Sequence, residues 1–315
     1  MRGATALSTL RAGGKAALAR VLARLESHPD DPEMAALLDA AYAAPRAQVV
    51  GLTGPPGVGK STLAGALVQA YRRRGQRIAV IAIDPSSKRS GGALLGDRTR
   101  LRTDPDDDGI FVRSMAARDQ LGGLADLTYA AMILMRALYD VVLIETVGVG
   151  QSETDIALAA DTIVFCVQPG SGDSLQFMKA GIVEIPDIIA VTKGDLGRAA
   201  TRARADVKGA LGLSEGGGHD PGEWAVPVLI VSANTAEGVE QLVEMVASHD
   251  AWLRDRDRLA KKRAAQASAW VLAAIRERWG REGLRRLGLT GNTGSVTALT
   301  GETPFQALAG LARQL

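Results

Sequence analysis

The chain has 315 residues, of which 46% are apolar, and 37 basic against 35 acidic side chains leave a formal net charge of +2. That length allows one large α/β domain with appendages, or two domains, and enough apolar material for a sizeable core. The near-balanced charge gives no reason to expect nucleic-acid binding, and no apolar run approaches the roughly 18 to 20 residues of a membrane span.

The N-terminal stretch is Arg-rich and carries no acid until Glu26, a composition shared with organellar transit peptides. Leu18, Val21, Leu22 and Leu25 nevertheless recur at helical spacing, and the expectation is a helix packed on the domain. A break follows at His28-Pro29-Asp30-Asp31-Pro32, then a second stripe at Met34, Leu37, Leu38 and Tyr42, which Pro45 ends.

The apolar run Gln48 to Thr53 leads into Gly54-Pro55-Pro56-Gly57-Val58-Gly59-Lys60-Ser61, and helical spacing resumes from Thr62 to Tyr71. This fits the phosphate-loop pattern G-x-x-x-x-G-K-[ST] in its required strand–loop–helix setting. Backbone N–H groups and the helix N-terminus would wrap the phosphates of a nucleoside triphosphate. Lys60 would reach the β- and γ-phosphates, and the Ser61 hydroxyl would coordinate Mg²⁺.

Further strands are expected over residues 77–84, 109–115, 139–145, 161–168, 188–192 and 227–232, several of them apolar at consecutive positions. That pattern belongs to a parallel sheet covered by helices on both faces. Cys166, the one cysteine, sits in such a run (TIVFCV). It cannot form an internal disulfide, which points to a reducing compartment such as the cytoplasm. After about Gly238 the chain turns helical, and Trp270, Val271, Ala274, Ile275 and Trp279 line one face. The tail from Gly288 ends in a last apolar stripe, Phe305, Leu308 and Leu311, and as an appendage far from the phosphate loop it is a candidate for self-association.

Asp84 and Glu145 each end an apolar strand, and Glu145 opens the run Glu145-Thr146-Val147-Gly148. Ligands of open parallel sheets sit beyond the carboxyl ends of strands, so both acids are expected near the phosphates, where a carboxylate holds Mg²⁺ directly or through water. Gly148 could offer its N–H to the γ-phosphate, making Thr146 to Glu153 a segment that senses hydrolysis. Capping of the next helix is the bland alternative for either acid.

Thr192-Lys193-Gly194-Asp195 follows another strand. A carboxylate accepts two hydrogen bonds, which guanine can donate and adenine cannot, while the Lys193 stem can lie along the base. Ser232 and Ala233, after the last strand, are placed to support the base with backbone N–H groups. Alone, TKGD is a weak signal; its order after the phosphate loop and ETVG favours GTP and GDP as substrate and product.

Taken together, GLTGPPGVGKSTL, AIDPSSKRSGGALLGDRTR, FVRSMAARDQLGGLA, DVVLIETVGVGQSE, VQPGSGDSLQFMKAGI and IIAVTKGD make a chain that resembles the MeaB/ArgK group of GTPases over nearly its whole length. The resemblance implies a P-loop domain over residues 46–250, a helical N-terminal extension over 1–45 and a helical arm over 251–315 that forms a homodimer. It implies that Asp84, Asp97 and Glu145 form the Mg²⁺ and water network, and that Gln168 to Gly181 is a mobile switch. Lys179 would stabilise transition-state charge when a partner docks. The implied partner is an adenosylcobalamin-dependent acyl-CoA mutase of the methylmalonyl-CoA mutase type, whose cofactor loading or protection is gated by GTP hydrolysis. One departure is visible: Thr192 stands where the family usually has Asn, which should weaken guanine binding by about one hydrogen bond, ~0.5 to 1.5 kcal/mol, without switching the base.

Three histidines and one cysteine are too few for delivery of a soft metal. A small-molecule kinase would need an acceptor pocket and a base near the γ-phosphate, which no residue singles out. A slow, nucleotide-dependent scaffold is the other alternative, against which intact Lys60, Ser61 and Glu145 argue.

Overall fold

The computed structural model describes residues 2–28, 31–85, 103–117, 126–146, 156–170, 185–214, 222–289 and 303–315. Seven strands form one sheet: β1 Gln48–Thr53, β2 Ile78–Pro85, β3 Ile110–Ala117, β4 Val141–Glu145, β5 Thr162–Val167, β6 Ile188–Val191 and β7 Val228–Ile230. Their spatial order is β3-β2-β4-β1-β5-β6-β7, and every pairing is parallel. The expected strands are all present. The last is shorter than its apolar run, because β7 is an edge strand paired only with β6 and the chain turns back at Ser232, whose N–H donates to Glu237 O at 2.9 Å.

The consecutive apolar pattern has a direct cause: every residue of β4, β5 and β6 is buried. Successive side chains point to opposite faces, and both faces are covered. One carries Val50, Leu52, Val80, Leu143, Val164 and Cys166 against helices α4 (Lys60–Arg73) and α7 (Val239–Arg254). The other carries Val49, Ala79, Ile81, Val142, Ile144 and Ile163 against α5 (Asp126–Leu138) and the terminal helices. From β5 outward on this side, Val167, Ile189 and Val191 are covered by α6 (Arg198–Ser214).

The N-terminal helices are α1 (Arg2–Ala12), α2 (Gly14–Ser27) and α3 (Pro32–Ala43). Leu18, Leu22 and Leu25 are buried and Val21 packs against the same cluster, so the first stripe is a packing face. Asp31 caps α3 by accepting from the Glu33 N–H at 2.8 Å, with Pro32 at the first helical position.

The C-terminal helices α8 (Arg258–Arg286) and α9 (Pro304–Ala312) join that core too. Trp270 stacks on Tyr129 of α5 at 4.7 Å, and Phe305 meets Trp270 at 5.2 Å. The stripe near the end of the tail is occupied within the chain: Phe305 and Leu308 are buried and Leu311 packs against the same cluster. A buried ion pair fastens α8 to the sheet. Arg263 donates to both oxygens of fully buried Asp161, at 2.9 and 2.7 Å, and Asp161 also accepts from the Val49 N–H at 2.8 Å. No helix among the described residues is long and apolar enough to cross a membrane.

Candidate functional site

Because all seven strands run the same way, their carboxyl ends share one edge of the sheet. Central β1 leads into the phosphate loop, with β4 on one side and β5 on the other. The chain goes one way from β1 to β2 and the other way from β5 to β6, so this edge is the topological switch point where such sheets hold ligands.

The loop's shape depends on glycine. Gly54 has φ +133°, and a β-carbon there would lie 2.3 Å from the Cys166 carbonyl oxygen, so the loop can leave β1 only by running hard against β5. Gly59, at φ +99°, precedes the first residue of α4 and turns the chain into the helix. Lys60 is buried, and its ammonium donates to the carbonyls of Gly54 at 2.7 Å and Pro55 at 3.0 Å. Pro56 and Gly57 are exposed, Val58 is buried, and Thr62 faces outward from α4.

Glu145 ends β4 opposite Leu52 of β1 and Ala82 of β2. It is 7% exposed, and the Ser61 hydroxyl donates to its Oε1. Thr146 continues the edge: its N–H donates to Leu52 O at 3.1 Å and its hydroxyl to Thr53 Oγ1 at 3.0 Å. Asp84 lies near the end of β2, opposite Ala116. The Asp84 side chain, and all of Asp97, Gly148 and Lys179, lie outside the described residues. Cys166 is inert packing, its thiol pushed up to about 12 by burial.

The loops after β6 and β7 form the second half. The Gly194 N–H donates to Val231 O at 2.9 Å, and the Ser232 hydroxyl donates to Asp195 Oδ1 at 2.6 Å, so the two loops are stitched together. Asp195 is exposed while Ser232 is buried, and Ala233 follows in the turn. Lys193 takes left-handed backbone angles (φ 54°, ψ 43°), and its ammonium reaches both Gly57 O and Gln168 Oε1. Thr192 donates its hydroxyl towards Val58 O at 2.7 Å, with Val167 O at 3.0 Å. The structure thus gathers the phosphate loop, Glu145 and the TKGD segment around one edge. Sequence reasoning named Gln168 only as the start of the implied switch and Thr53 only as the end of an apolar run, and gave neither a contact at this edge.

Among the described residues no three His, Cys, Asp or Glu side chains group as a metal cage. A hydroxyl and a carboxylate in contact, Ser61 and Glu145, instead fit the hard-oxygen donor set of Mg²⁺, which takes few protein ligands and completes its shell with phosphates and water.

A parallel doubly wound sheet with a glycine-rich loop running from β1 into α4 defines a P-loop nucleotide-binding protein. A sequence profile described as the methylmalonyl-CoA mutase-associated GTPase MeaB matches residues 18–295, and the chain belongs to this family of GTPases. It is 40% identical over 276 residues to a protein of Pyrococcus horikoshii provisionally named a GTPase, covering 85% of this chain and 84% of that one. It is 35% identical over 275 residues to the GTPase ArgK of Escherichia coli, covering 85% and 82%. The mouse mitochondrial protein named methylmalonic aciduria type A homolog is 38% identical over 231 residues, 72% of this chain and 55% of that one. A solved structure named LAO/AO transport system kinase superposes with a TM-score of 0.67 at 27% identity, covering 99% of this chain and 97% of its own. The protein is a GTPase, and GTP and GDP are its nucleotides.

Proposed function

We propose that the protein hydrolyses Mg·GTP as a switch that gates cofactor loading or protection of an adenosylcobalamin-dependent acyl-CoA mutase. The observation that carries the nucleotide half is the Ser61–Glu145 pair set beside Lys60 on one sheet edge, with Asp195 and Ser232 joined on the next loops. The partner half rests on the family's description as mutase-associated and on the name of the mouse relative.

In this reading Lys60 exchanges the Gly54 and Pro55 carbonyls for the β- and γ-phosphates as the nucleotide enters. That exchange retains its hydrogen bonds while gaining charge pairing. Gly54 to Thr62 wrap the phosphates with backbone N–H groups at the start of α4. Ser61 and Glu145, with Asp84 and Asp97, would hold Mg²⁺, whose chemistry is to neutralise charge developing on the phosphates. Gly148 would sense the γ-phosphate, and Asp195, Lys193, Ser232 and Ala233 would form the guanine end, which Thr192 ties to the phosphate loop. Asp195 is already oriented by Ser232, so its carboxylate is set to accept from the guanine N–H groups with little reorganisation.

Lys179 is assigned to partner-stimulated hydrolysis. The chain divides functionally into a helical extension (1–45), the GTPase domain (46–250) and an arm (251–315) that forms a homodimer through surfaces other than the Phe305 stripe. The cytoplasm is the proposed location. The test is phosphate release from GTP with and without the purified mutase. Stimulation by the mutase that Lys179→Ala removes, with basal turnover kept, is the expected result; no stimulation, or equal loss of both rates, contradicts the reading.

A further inference from the structure

We infer that Gln168 is a positioning residue that holds Lys193 along the face of the bound purine. Lys193 Nζ lies 2.5 Å from Gln168 Oε1 and 3.3 Å from Gly57 O, so one ammonium ties three loops together: those after β5 and β6, and the phosphate loop. Such a clamp is needed. Lys193 is exposed, and a free lysine stem samples many rotamers. Its backbone also sits in the left-handed region, a conformation that a side-chain-bearing residue keeps only where its surroundings hold it.

Two acceptors at the tip, together with that fixed backbone, hold the four-carbon stem at both ends, between the phosphate loop and the loops after β5 and β6. An apolar stem in that position is a ready surface for the face of a base. Gln168 is half-buried and follows directly on fully buried β5, so its amide is presented one residue beyond the strand end. As a neutral acceptor it takes a hydrogen bond from the ammonium and leaves the positive charge in place.

The inference rests on the reading that Lys193 lies along the base. Its test is calorimetric binding of GTP and of inorganic tripolyphosphate, which has no base, to wild type, Gln168→Leu and Gln168→Glu. Gln168→Leu should raise the Kd for GTP about two- to thirteenfold, the worth of one hydrogen bond, and leave tripolyphosphate unchanged. Gln168→Glu retains an acceptor and should restore GTP binding to within about twofold of wild type. In a Lys193→Met background, Gln168→Leu should have no further effect. Unchanged GTP affinity in Gln168→Leu, equal losses for both ligands, failed rescue by Gln168→Glu, or an undiminished effect in the Lys193→Met background would each overturn the assignment. A change of preference from GTP to XTP in Asp195→Asn keeps the base-binding reading standing independently of these results.

Discussion

The Thr192 hydroxyl lies 2.7 Å from the Val58 carbonyl, so the strand end that carries the base-recognition segment is bonded directly to the phosphate loop. Thr192 is only 4% exposed and also lies 3.0 Å from Val167 O. A hydroxyl has one proton to donate. It is spent on these carbonyls and leaves no donor for a purine, so the residue braces the loop rather than reading the base. Thr192→Val removes that donor and should weaken GTP binding by ~0.5 to 1.5 kcal/mol. Because loop order is what is lost, tripolyphosphate should weaken by the same factor. Calorimetric titration of both ligands checks this, and a loss confined to GTP would place the hydroxyl on the base instead.

Gly54→Ala tests how tightly the phosphate loop is pressed on the sheet. The added methyl would stand 2.3 Å from Cys166 O on a backbone at φ +133°. The strained backbone alone costs about 1 to 3 kcal/mol, and the clash with a fully buried strand adds to it. Urea unfolding should show a lower midpoint together with lost GTP binding; an unshifted midpoint would mean that the loop can leave β1 by another path.

His249 is fully buried against both Trp224 and Trp252, with Thr162 Oγ1 2.8 Å from Nδ1 and Asp187 Oδ1 3.3 Å from Nε2. Burial pushes the imidazole below its ordinary 6.5; Lys262 acts in the same direction, and Asp187, Asp250 and Asp161 act against it. The unfolded chain therefore takes up this proton at higher pH than the folded one. The contribution to stability is fully present above about pH 6.5 and is lost as pH falls from there towards the lowered native value. His249→Gln has nothing to protonate, so its melting temperature should fall less than that of wild type between pH 7.5 and pH 5.5. Parallel falls would show that the histidine does not titrate on unfolding.

Much of the scaffold can be read from local pattern. Runs such as YDVVLIE and TIVFCV are apolar throughout because both faces of the sheet are covered, and the phosphate loop declares itself by glycine positions that only this turn requires. What local pattern cannot supply is the identity of the group on the other side of a contact. The stripe Phe305, Leu308 and Leu311 shows that one face of α9 must be buried, but its partners, Trp270 and Tyr129, are specified only by the fold. The Thr192–Val58 bond spans 134 residues and the Arg263–Asp161 pair 102, distances over which spacing carries no information. The Gln168–Lys193 contact was hidden for the same reason, since nothing in either strand end names the other.

The central claim is that the phosphate loop, Glu145 and Asp195 surround a single guanine nucleotide, and the identity of the base tests it most directly. Titration of GTP and XTP into wild type and Asp195→Asn should give tight GTP binding to wild type and a preference reversed towards XTP in the variant, whose amide donates where the carboxylate accepted. An Asp195→Asn protein that binds GTP as tightly as wild type, and XTP no better, would contradict the account.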